Sequence, residues 1–169
     1  MRRPAPVAAG VFASAALVLA SLATIASAQE AIKSPLEKAK VGQWVRYKMT
    51  NDMEMKQSIV KVEVKKFTIK HEMWMKGQPL PSNESVVDLE KKSEGDKKGE
   101  APKIEDAVLE VNAKKLKCKV STSGNVKTWH CEEVPVYGVV RQEMDGKATM
   151  ELIAWGERAD EDKGPQKKK

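Results

Sequence analysis

The stretch Leu116–Glu133, LKCKVSTSGNVKTWHCEE, constrains the fold of this chain more than any other. It holds both cysteines, one of the four tryptophans and His130. Gly124-Asn125 sits between two strand-like runs, and both residues tolerate the positive φ that tight hairpin turns require. A turn centred there places Ser123 opposite Val126, Thr122 opposite Lys127, Val120 opposite Trp129 and Cys118 opposite Cys131. Counting outward, the cysteines fall on a non-hydrogen-bonded pair, where Cα atoms approach to about 4.5 Å, within the reach of a disulfide. Cys118, Val120, Trp129 and Cys131 then share one face. Lys117, Lys119, His130 and Glu132 fall on the other, which suits water. The expectation is a disulfide-stapled hairpin. A metal pair or a redox dithiol are the competing readings, and the absence of a CxxC motif counts against both.

The N-terminus reads as an export signal. Arg2 and Arg3 precede an apolar, alanine-rich run over 7–25, and Ala26-Ser27-Ala28 forms an A-x-A cleavage site. A membrane anchor is the alternative, but the run is short and ends in small residues. No second run is long enough to span a bilayer, so no transmembrane anchor is expected after cleavage. Residues 1–28 are therefore expected to be removed, leaving 141 residues, enough for one domain with a real core. The formal charge drops from +6 to +4 on loss of Arg2 and Arg3. Lysines alternate with glutamates along strand-like runs, as on a solvated sheet face, and no basic-aromatic motif accompanies them. Nucleic acid is not an expected partner.

The mature chain is read as one domain over 29–156. Ser34-Pro35-Leu36-Glu37 resembles a helix start and predicts one short N-terminal helix ending near Gly42. The period then changes to two. Strands are expected over 43–49, 53–64, 67–75, 84–89, 107–111, 139–144 and 147–155, besides the two arms of the central hairpin. Asn51-Asp52 and Asp145-Gly146 read as turns. A turn at Lys65-Lys66 would set Val62 opposite Ile69 and Val60 opposite His71. Val134-Pro135-Val136-Tyr137-Gly138 interrupts the ladder, because proline cannot donate and glycine weakens a strand. Residues 91–103 read as a mobile loop and 157–169 as a disordered charged tail. The fold class is mainly β, with about nine antiparallel strands in a single curved sheet or half-open barrel, or folded over as a sandwich.

At Gly42-Gln43-Trp44-Val45-Arg46-Tyr47-Lys48-Met49, Lys117-Cys118, Lys127-Thr128-Trp129, Val134-Pro135-Val136-Tyr137-Gly138-Val139-Val140 and Glu151-Leu152-Ile153-Ala154-Trp155-Gly156 the chain resembles small exported bacterial β-rich proteins of unassigned function. Their pattern runs from G-x-W-V-x-Y to W-x-x-x-x-V-P-x-x-G-x-V. More distantly, helix, hairpins and a strand broken at Val-Pro follow in the order of the lipoprotein-localisation carrier fold. That fold is an unclosed antiparallel barrel whose apolar interior holds acyl chains. The resemblance implies a lipid or other apolar ligand and assigns a role to no individual residue.

Catalysis has little to build on. His71 and His130 are the two histidines, and no Ser-His-acid order, GxSxG, HExxH or phosphate-cradling loop is present. The chain is read as a non-enzyme with no cofactor. Met49, Met53 and Met55 precede His71, Met73, Trp74 and Met75, and on a strand His71, Met73 and Met75 project to one side. Thioether and imidazole ligands suit Cu(I) in an exported protein. The plainer reading is that methionine fills an irregular apolar interior. The expected role is an exported (periplasmic or secreted), non-catalytic binding protein for a lipid or other apolar ligand. A soft-metal protein and a protein-interaction module are the alternatives.

Overall fold

The structure, a computed structural model, describes residues 35–91 and 102–162. The signal segment over 1–28, and all of the expected mobile loop but its ends Lys91, Pro102 and Lys103, lie outside the described residues. The described residues form ten strands: β1 Trp44–Met49, β2 Met53–Glu63, β3 Lys66–Met75, β4 Gln78–Pro79, β5 Asn83–Asp88, β6 Lys103–Val111, β7 Lys114–Ser123, β8 Val126–His130, β9 Val139–Met144 and β10 Lys147–Gly156. All pair antiparallel in one sheet of order β4-β3-β2-β1-β10-β9-β8-β7-β6, with β5 also on β3, and the sheet does not close into a barrel. The first long strand therefore pairs with the last.

Turn chemistry explains most of this order. The two-residue loops Lys76-Gly77, Asn112-Ala113 and Asp145-Gly146 each carry two positive φ angles, the signature of a type I′ turn whose twist matches the strands it joins. The central hairpin turns at Gly124-Asn125 with the expected register, from Ser123–Val126 to Lys119–His130. The expected N-terminal helix shortens to one 3₁₀ turn over Pro35–Lys38, whose Leu36 is fully buried.

The β2–β3 register differs from the expectation. The turn falls at Val64-Lys65, with φ +59° at Lys65, so Val62 faces Phe67 and not Ile69. A bulge at Val60 then shifts the register by one more residue, setting Ile59 opposite Ile69 and Gln57 opposite His71. The bulge absorbs one residue and leaves Val60 and Val62 more than one-third exposed.

The core lies on the inner face of the curved sheet. Val45, Tyr47, Met55, Ile59, Ile69, Met150 and Leu152 pack there. They meet Leu36 of the 3₁₀ turn, Leu116 of β7, and Val134 and Val136 of the loop between β8 and β9. That loop is folded inward, with Val134 and Val136 fully buried. Its backbone groups bond locally: Cys131 N–H to the Gly138 carbonyl at 2.7 Å, and Val134 N–H to the Cys131 carbonyl at 3.2 Å. A loop can be buried only when its polar groups are satisfied in this way. The far end of the sheet curls back, so that Asn112 at the β6–β7 tip donates to the Ile153 carbonyl of β10 at 2.9 Å.

The stretch expected to be a disordered tail begins as ordered chain. Residues 157–162 fold onto the outer face of β1 and β2, and Asp162 reaches Arg46 and Lys56. Residues 163–169 lie outside the described residues.

Candidate functional site

Cross-strand pairing gathers six methionines at one end of the inner face. Met75 pairs with Met53, Met53 with Met49, and Met49 with Met150, a line of four across β3, β2, β1 and β10. Two pairs further along, on the same face, Met73 faces Met55, which faces Tyr47. Directly paired side chains share a face with Cβ atoms about 5 Å apart. The line therefore spans about 14 Å at the usual strand spacing. Exposure rises along it, from 5% at Met150 to 39% at Met75.

The sequence-predicted set Met53, Met55, His71, Met73 and Met75, with Met49 ahead of it, is thus brought to one side of β1, β2 and β3, and Met150 extends it. His71 stands apart in its bonding. Its Nδ1 lies 3.5 Å from Gln57 Nε2 and its Nε2 lies 2.7 Å from Ser85 Oγ. With the Gln57 amide donating, Nδ1 accepts and Nε2 carries the proton toward Ser85. Burial holds the imidazole below its ordinary pKa, which favours this neutral form. Both ring nitrogens of His71 are therefore engaged by polar neighbours.

Behind the methionines a pocket is lined by Tyr47, Met55, Gln57, Tyr137, Val139, Gln142 and Met150. It encloses about 10 Å³, room for one water molecule. Tyr47 closes its floor by donating its hydroxyl to the Val139 carbonyl at 3.1 Å. Burial drives the pKa of that phenol well upward, so it stays a donor.

The cysteine pair requires a correction. Cys118 and Cys131 are both buried and adjacent, but they lie 4.4 Å apart as free thiols, beyond bonding distance. The ladder ends one pair earlier, at Lys119–His130. Past His130 the chain leaves β8 for the inward loop, where Cys131 N–H donates to the Gly138 carbonyl, and the two thiols stay neighbours without closing to a bond. The Cys118 thiol is pushed up to about 12, first by burial and then by Cys131.

His130, expected on the solvated face, is only 5% exposed. The inward loop covers it, and burial lowers its pKa. The outer-face cluster of Arg46, Lys56 and Asp162 was not anticipated either. Trp44, Arg46 and Lys48 alternate as an ordinary polar-facing set, and only the fold of the last residues shows what meets them. No protein-family model matches the chain, and no curated protein or solved structure is significantly similar to it.

Proposed function

We propose that this chain is an exported, non-catalytic binding protein that takes a lipid or other apolar ligand at the methionine-lined end of its inner face. The observation that carries this reading is the six-methionine patch, graded from buried Met150 and Met55 to exposed Met75. Methionine is unbranched and polarisable, so a surface built from it repacks around varied apolar shapes. The small pocket behind the patch means that uptake proceeds by movement of thioether side chains and not by filling a large preformed hollow. An unclosed antiparallel sheet with an apolar interior also suits the distant likeness to the lipoprotein-localisation carrier fold. The engaged ring nitrogens of His71 and the burial of His130 favour binding over acid–base chemistry.

The line Met75–Met53–Met49–Met150 supports a second reading, a Cu(I) site of thioethers centred on Met53. Here His71 contributes through position and not ligation. One pair of variants separates the two readings. Met53→Leu with Met75→Leu keeps the apolar surface and removes sulfur; Met53→Gln with Met75→Gln removes the apolar surface. A fluorescent acyl probe should bind the leucine variant as it binds the native protein and lose binding to the glutamine variant. Equal binding by all three proteins would reject the methionine end as the ligand site. Loss of Cu(I) binding in the leucine variant, measured against a competing chelator with both cysteines replaced by alanine, would instead establish the metal reading.

A further inference from the structure

On the outer face of β1 and β2, Arg46 and Lys56 are direct cross-strand partners. Both are more than nine-tenths buried, at 8% and 7% exposure. Two like charges directly opposite each other on a sheet repel, and burial strengthens the repulsion. Such a pair persists only if an anion lies between its members. Among the described residues, the Asp162 carboxylate does so. Asp162 sets Oδ1 at 2.5 Å from Arg46 Nη2 and Oδ2 at 3.3 Å from Lys56 Nζ, with its side chain 5% exposed.

Two indoles frame the cations. The Trp74 ring lies 5.7 Å from Arg46 Cζ and the Trp44 ring 5.3 Å from Lys56 Nζ. Their electron-rich faces hold the cations in place without consuming the donors that an anion uses. The other acids nearby are placed differently. Glu54 is 4.0 Å from Arg46 Nε, and Glu72, which pairs with Lys56 in register, is bonded to Lys70 at 3.0 Å. Among the described residues Arg46 Nε has no hydrogen-bond partner, so the guanidinium keeps an unused buried donor.

The carboxylate comes from the end of the described chain. The segment bearing it is tied to the sheet through Gln43 Nε2, which donates to Glu157 at 2.9 Å. Its other charges, Arg158, Asp160 and Glu161, pair among themselves in solvent. Among the described residues, Asp162 is the acid of this segment that reaches both cations.

We propose that Arg46 and Lys56, held between Trp44 and Trp74, form a carboxylate-binding site that Asp162 of the same chain occupies, and that a small-molecule carboxylate competes with Asp162 for it. The site lies on the face opposite the methionines, so it stands or falls separately from the function proposed above. A tethered carboxylate acts at an effective concentration in the millimolar range, which a ligand must exceed. Removing Asp162 removes that competitor.

The test uses the full mature chain and acetate, propionate and benzoate at constant ionic strength, with chloride as the control. In Asp162→Asn the carboxylates should raise the melting temperature in a saturable way and quench tryptophan fluorescence. The native protein should need at least about tenfold more ligand. Adding Lys56→Met should abolish the response. If Asp162→Asn does not fold in chloride, refolding in acetate should recover folded protein. A variant that responds to carboxylates no more than to chloride, or that fails to refold in both, would show that the cluster only clasps the terminal segment, and the proposal would be wrong.

Discussion

Alanine at Gly138 and alanine at Gly146 should carry very different costs, although the backbone at the two positions is nearly the same. Gly138 has φ +69° and Gly146 has φ +73°. Either substitution forces a side chain into the left-handed region, at about 1–2 kcal/mol. At Gly146 an added Cβ meets nothing within 4 Å, so that is the whole cost. At Gly138 it would sit 2.7 Å from Pro35 Cγ and 2.8 Å from the Cys131 carbonyl oxygen. That oxygen accepts from Val134, and Cys131 in turn donates to Gly138. Moving it weakens two buried hydrogen bonds at about 1 kcal/mol each. Gly138→Ala should therefore destabilise by about 3–4 kcal/mol, a large part of the 5–15 kcal/mol typical of a domain. Urea unfolding followed by tryptophan fluorescence should put its midpoint about 1 M below that of Gly146→Ala, for an m-value of about 2 kcal/mol/M. Equal midpoints would refute the close seating of the inward loop on the Pro35 turn.

Three further outcomes follow from the packing. Tyr47→Phe leaves the buried Val139 carbonyl without its donor and should cost about 1–2 kcal/mol in urea unfolding; a loss below about 0.5 kcal/mol would mean that bond is not made. Burial holds His71 and His130 below the ordinary imidazole pKa, so the unfolded chain takes up protons first as pH falls. Their contribution to stability is complete above about pH 6.5 and is lost as pH drops through the window below it; identical unfolding midpoints at about pH 7.5 and about pH 5 would contradict this. With Cys118 buried and its thiol pushed up to about 12, the reduced protein should resist a neutral-pH alkylating reagent until denaturant is added, as intact mass would show.

Strands and turns were legible wherever the signal was local. Gly124-Asn125 and Asp145-Gly146 punctuate period-two runs, and the hairpins formed there. The β2–β3 register was not legible, because Lys65 supplies the positive φ without being a turn-forming residue and the Val60 bulge leaves no mark in the alternation. The cysteine pairing failed for a related reason. The register itself was right, but β8 ends at His130, where the chain enters the inward loop, so the ladder stops one pair short of the sulfurs. The candidate methionines on β2 and β3 could be found because they lie on one hairpin. Met150 joins them only through the pairing of β1 with β10, which brings together residues from opposite ends of the domain. Asp162 lay furthest from reach: no periodicity links an acid in a charged tail to two cations on the outer face of the first hairpin.

Native mass spectrometry of the mature protein, taken from the compartment to which it is delivered, tests the proposed role most directly. The expected spectrum shows a population carrying a lipid-sized apolar mass, retained in Met53→Leu/Met75→Leu and lost in Met53→Gln/Met75→Gln. A bare chain that also takes up nothing from lipid micelles would contradict it.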